Sequence, residues 1–159
     1  MALQLILVRH GNSPLAPEGV GDIKRELNSK GKSEAKQAAV FIKKHTQHPD
    51  LIVSSPALRA MQTAKIIAEA FSISDDQIQI SNSIYEASAE RLLYVIREIN
   101  PENKTVILTG HNPGLSELVY LLCGKAVSLT TSAVAVVDFK DENWDALTEN
   151  SGKLVAIQN

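Results

Sequence analysis

The chain has 159 residues, 44% of them hydrophobic, which is enough for one sizeable core and makes a single domain over 1–159 the expectation. Sixteen basic residues against eighteen acidic ones give a formal net charge of -2, with no long run of either sign, so neither nucleic acid nor an anionic membrane surface is expected as a partner. The one cysteine, Cys123, cannot form an internal disulfide, and its apolar setting in LVYLLC predicts a packed core thiol.

Taken in chain order, the first strand spans Leu3 to Val8, around the apolar run Leu5 to Val8. It lacks a basic leader and stops at Arg9, so it reads as a buried strand rather than a secretory signal or a membrane span, and the cytoplasm is the expected compartment. Residues 11–30 follow as the longest irregular stretch, with Pro14, Pro17, Gly19 and Gly21 opposing regular structure. A loop of that length in a compact domain is expected to lie beside a site. Gly31-Lys32-Ser33 resembles the end of a phosphate-binding P-loop, but position 26, where the earlier glycine belongs, is Glu26.

The spacing predicts a helix over Lys32 to Lys44, where Ala35, Ala38, Ala39 and Ile42 share a face. His45 and His48 come next, without the companions or spacing of a metal site, and are expected to be solvated. Leu51 to Val53 is the second strand, and Ala57 to Phe71 a helix with Ala60, Ala64, Ile67 and Ala68 inward. Gln77 to Ile80 is the third strand, and Ala89 to Ile99 a helix ended by Asn100-Pro101. Asn103-Lys104-Thr105 matches a glycosylation sequon, accidental if no secretory route exists. Thr105 to Leu108 is the fourth strand, and Gly114 to Cys123 a helix closed by Gly124. Val134 to Phe139 and Lys153 to Ile157 are the last strands, with Trp144 packing an edge in the hairpin turn between them. Strands alternating with helices predict an α/β domain, a three-layer α/β/α sandwich with a mostly parallel central sheet.

In such sheets ligands bind beyond the carboxyl ends of the strands. There the first strand delivers Arg9-His10-Gly11, the second Ser54-Ser55-Pro56 with Arg59 just inside the next helix, and the fourth Gly110-His111-Asn112. A lone histidine or arginine at such a place is ordinary, but two of each at one sheet edge suit a phosphoryl group. Planar guanidinium forks donate in pairs to tetrahedral oxyanions, so Arg9 and Arg59 would clamp the phosphate. A neutral imidazole attacks phosphorus through one nitrogen if the other keeps its proton on a backbone carbonyl, and Gly11 allows a turn close enough for His10 to do so. His111 would donate to an equatorial oxygen as charge spreads there in the transition state. No metal and no cofactor is implied.

The segments LVRHGNS, SSPALRAMQTA and GHNPGL resemble the motifs of the histidine phosphatase superfamily, with its phosphoglycerate mutase-like fold. The likeness extends through Asp22, Arg25, Leu27 and Gly31 and through Tyr85-Glu86-Ala87. The short length, the RELNSKG segment and Thr131-Ser132-Ala133 are most similar to the bacterial phosphohistidine phosphatases. The resemblance implies that His10 is phosphorylated and then hydrolysed, with Arg9, Arg59 and His111 lining the pocket and Gly11, Asn12 and Arg25 at its substrate-binding rim. A surface ion pair is the alternative for Arg25. Glu86 stands where many members carry the acid that protonates the leaving group, and an exposed loop carboxylate is its alternative reading.

The expected activity is hydrolysis of protein phosphohistidine, since so short a chain has little room for a cap enclosing a small metabolite. The rivals are a small-molecule phosphomonoesterase acting on a sugar phosphate or nucleotide, and a silent phosphate-binding adaptor. A monomer is expected. The adaptor is disfavoured because the nucleophile and every clamp residue are present.

Overall fold

The computed structural model describes residues 2–159. Six strands form one sheet: β1 (Leu3–Arg9), β2 (Leu51–Ser54), β3 (Gln79–Ile80), β4 (Thr105–Gly110), β5 (Val134–Phe139) and β6 (Gly152–Gln158), in the spatial order β3-β2-β4-β1-β5-β6. The pairs β1–β4, β4–β2 and β2–β3 are parallel, and β5 runs antiparallel to both its neighbours. The mixed sheet with four helices is the fold expected from the alternation of strands and helices.

The sheet separates two apolar layers because successive side chains of a strand face opposite ways. Leu3, Leu5 and Leu7 of β1 pack with α3 (Ala89–Arg97) and α4 (Gly114–Cys123). Ile6 and Val8 pack with α1 (Ser29–Lys43) and α2 (Leu58–Ala70). Strands covered on both faces carry continuous apolar runs, as in LILV of β1 and VIL of β4, whereas the edge strand β6 alternates half-buried with exposed residues along its length.

Several boundaries differ from the periodicity. Helix α1 starts at Ser29, three residues before the predicted Lys32, because Asn28 caps it by accepting from the Gly31 N–H at 2.8 Å. Strand β3 has only two residues, since Asp75–Gln77 forms a 3-10 turn with a Ser74–Gln77 capping box. Helix α3 ends at Arg97, two residues short of the predicted Ile99. Trp144 is no edge residue: it is fully buried, donates from Nε1 to the Asn103 carbonyl at 2.7 Å and meets the Phe139 ring edge-on. Cys123 is half-buried against the core, which pushes its thiol up to about 11. His48 is exposed, but His45 is half-buried with its ring centroid 4.8 Å from that of Phe41.

Register is what places the chemistry. Arg9 pairs with Gly110 and Ser54 with Thr109, so His10, His111 and Ser55 are the residues next after the ladders at the carboxyl ends of three adjacent parallel strands. The ladder extends one bond further on each side, from His10 N–H to Gly110 O and from Ser55 N–H to Thr109 O, both at 3.1 Å. Among the described residues no helix is long and apolar enough to cross a membrane.

Candidate active site

His10 is buried, and its Nδ1 lies 2.7 Å from the Gly11 carbonyl oxygen, which can only accept. Nδ1 therefore carries the ring proton and Nε2 the lone pair. Burial is the main force that pushes this imidazole down to about 4, with Arg59, Arg9 and Arg25 adding to it against the Gly11 hydrogen bond, so the ring is neutral at pH 7. The close turn expected at Gly11 has a definite partner. A Cβ on Gly11 would fall 2.5 Å from the Gly31 carbonyl oxygen, and one on Gly31 would fall 2.2 Å from that of Asn12. The loop bearing His10 thus lies directly on the first turn of α1. Thr63 ties it to α2 as well, accepting from the Gly11 N–H at 3.1 Å and donating to the Arg59 carbonyl at 2.8 Å.

Arg59, on the first turn of α2, is buried with its Nε 3.4 Å from His10 Nε2. Its other nitrogens donate to the backbone oxygen of Asp22 at 2.8 Å and to Asp22 Oδ2 at 3.1 Å. Arg9 donates from NH1 to the Leu129 carbonyl at 3.0 Å, while its Nε is buried with no hydrogen-bond partner. The His111 ring lies 5.2 Å from that of His10, centroid to centroid, and its Nε2 is 2.7 Å from Ser55 Oγ. Ser55 Oγ also accepts from the Ala57 N–H at 3.1 Å and keeps both a second lone pair and its own proton for His111 Nε2. The other ring nitrogen, Nδ1, is buried and without a partner. Burial first, then the charges of His10 and Arg59, push His111 down to about 3, which keeps it neutral.

Two buried nitrogens without partners, Arg9 Nε and His111 Nδ1, are what a site built for an oxyanion carries. A buried donor left unsatisfied is costly unless a ligand meets it. The arrangement offers a neutral nitrogen nucleophile, two permanent cations and a second neutral imidazole around one point, which suits phosphoryl transfer. No group of three or more His, Cys, Asp or Glu side chains among the described residues could hold a metal. A recess of about 380 Å³ bounded by Leu51, Val53, Gln79, Tyr94 and Glu98 lies elsewhere and includes none of these residues. An oxyanion needs charged donors more than volume, so the chemistry, not the recess, marks the site.

The other predicted residues fall around this centre. Asn12 is held by Glu34, which accepts its N–H at 2.8 Å, and by Asn28, which donates to its Oδ1 at 2.7 Å. Arg25 spends its guanidinium on the loop itself, donating to the Ser13 and Pro14 carbonyls at 2.6 and 3.0 Å and to Asp22 Oδ1 at 2.9 Å. The ion pair named as its alternative is present, and Arg25 still acts on His10 through its charge. Glu86 is exposed, with a left-handed φ of 54°.

Three participants were not assigned a site role from the sequence. Asp22 accepts from Arg59, Arg25 and Tyr85, the last at 2.5 Å. Its carboxyl is held well below the usual range by Tyr85 foremost, and Tyr85 in turn is pushed up to about 12 by Asp22. Tyr85 also sets its ring edge-on to His111 at 5.6 Å. Ser55, which the sequence places at the end of the second strand without a role, holds His111 Nε2 at 2.7 Å. The signals that could have found these residues were the Asp22–Arg25 spacing of three and the adjacency of Tyr85 to Glu86.

Residues 5–92 match the family described as Histidine phosphatase superfamily (branch 1). An uncharacterised chloroplastic protein of Arabidopsis thaliana is 27% identical over 157 residues, covering 94% of this chain and 72% of that one. Among solved structures, SixA of Agrobacterium tumefaciens, assigned as a phosphohistidine phosphatase, is 27% identical with a TM-score of 0.81 over 99% of this chain and 97% of that one. A phosphoserine phosphatase of Entamoeba histolytica, solved as a mutant with phosphoserine, shares the fold at 19% identity and a TM-score of 0.69, covering 98% of this chain and 96% of that one.

Proposed function

The chain belongs to the histidine phosphatase superfamily and is a phosphatase, and from that premise we propose that it hydrolyses protein phosphohistidine, without a metal, by way of a phosphoryl group carried on His10 Nε2. The observation that carries the reading is the fixed tautomer of His10: Gly11 holds Nδ1–H at 2.7 Å, and Nε2 is left with its lone pair next to Arg59.

In the reaction the substrate phosphoryl group seats against Arg9, Arg59 and His111, which donates from Nδ1 in the tautomer where Ser55 gives its proton to Nε2. His10 Nε2 forms a bond to phosphorus as the bond to the leaving nitrogen breaks, its electrons returning to that nitrogen. The equatorial oxygens gain charge in the transition state, where the preorganised donors stabilise it most. Water then attacks the phosphoryl group on Nε2 and releases inorganic phosphate, which restores the free imidazole.

The choice of a protein substrate is supported by the described elements, which no long insertion other than residues 11–30 interrupts, and by Asp22, half-exposed beside Arg59. A site this open admits a side chain presented by another protein. Comparing kcat/KM for a phosphohistidine protein with a panel of sugar phosphates, nucleotides and phosphoserine, in the presence of a strong chelator, tests the proposal. Preference for phosphohistidine with full activity in chelator is expected. Preference for a metabolite would establish the small-molecule reading, and loss of activity in chelator would contradict the metal-free mechanism.

A further inference from the structure

Asp22 stands on a 3-10 turn, Asp22–Lys24, and its two carboxylate oxygens are used unequally. Oδ2 accepts from the Tyr85 hydroxyl at 2.5 Å and from Arg59 NH2 at 3.1 Å, which fills its acceptor positions. Oδ1 accepts only from Arg25 NH1, at 2.9 Å, on a side chain that is 47% exposed. One acceptor position of a firmly held, ionised carboxylate is thus left to an incoming group. This carboxylate is separated from His10 Nε2 by a single guanidinium, that of Arg59, and its charge also reaches His111.

We infer that Asp22 selects the leaving group, its Oδ1 accepting a hydrogen bond from the substrate ring nitrogen that bears no phosphorus. The inference rests on the phosphohistidine reading and extends it to a residue that chooses between substrates. A phosphorylated imidazole leaves readily once its other nitrogen is protonated, and a carboxylate next to that nitrogen favours the protonated form. The proton comes from solvent and stays where it is. His10 Nε2 bonds to phosphorus, the substrate P–N bond breaks, its electrons return to the ring, and the ring departs as neutral imidazole. No acid beside the bridging atom is needed. An alkoxide or phenolate has no distal N–H to offer, so the same carboxylate only opposes the negative charge that develops on it.

The test is Asp22→Asn, which keeps size and changes a half-exposed side chain outside the core. The readout is kcat/KM for a phosphohistidine peptide relative to p-nitrophenyl phosphate, with inhibition by tungstate measured alongside to report whether Arg59 still stands in place. The ratio should fall by about 10- to 100-fold, the range for a hydrogen bond to a charged group, while tungstate inhibition changes little. Equal losses on both substrates, or tungstate affinity weakened in step with both rates, would mean that Asp22 merely holds Arg59 and would overturn the inference. An unchanged ratio would overturn it as well. If the unmodified enzyme does not prefer the phosphohistidine peptide, the functional reading itself fails and the inference falls with it.

Discussion

At the residue level, Arg59 is a buried guanidinium beside the proposed nucleophile His10. Arg59 is only 6% exposed, touches His10 and is anchored through Asp22. Arg59→Ala should lower turnover by about a hundredfold or more, the scale for removing a preorganised charge donor. Arg59→Lys should recover only part of that, since an ammonium lacks the paired fork, and steady-state kinetics on p-nitrophenyl phosphate measure both. His10, Arg9, Arg59 and His111 were legible in the sequence because each lies at or just beyond a strand end, where chain direction alone predicts convergence. Asp22 and Tyr85 were legible only as parts of a family pattern. They come from irregular segments whose path is set by tertiary hydrogen bonds, and periodicity carries no information about where such segments go.

At the scale of the elements, continuous apolar runs marked the inner strands, but β6 carries one too, Leu154 to Ile157, although its residues alternate between half-buried and exposed, so its place at the edge was not legible. The helix starts were less legible. Gly31 looks like a helix breaker, yet it lies inside the first turn of α1 for a reason local propensity does not contain: the His10 loop packs directly on it. Gly31→Ala would place a Cβ 2.2 Å from the Asn12 carbonyl, backbone against backbone, which neither side can relieve by a rotamer change. The expected cost is roughly 1–3 kcal/mol of stability, the range for overpacking, together with a fall in kcat as the His10 loop shifts. Chemical denaturation and turnover measured on the same preparation check this. Retained stability and full activity would show that the loop and helix can separate freely.

For the whole molecule, the two neutral histidines, His10 buried and His111 half-buried, link folding to pH. His10 and His111 sit at about 4 and about 3 in the folded chain, against 6.5 ordinarily. With folded values below unfolded ones, the unfolded chain binds more protons, so stability is greatest above about pH 6.5 and falls as the pH drops toward 4 and then 3. Between pH 7 and pH 4 the wild type should lose more stability than the double variant His10→Gln/His111→Gln, by a margin on the order of a few kcal/mol. Denaturation midpoints across that range would reveal it, and parallel curves would contradict neutral burial. The proposed reaction passes phosphate through His10, and rapid-quench trapping with a labelled phosphoryl donor reads that step. Label should be found on His10, stable to alkali and lost in acid as a phosphoramidate is, and absent from His10→Ala. Label on a serine, or turnover that persists in His10→Ala, would contradict it.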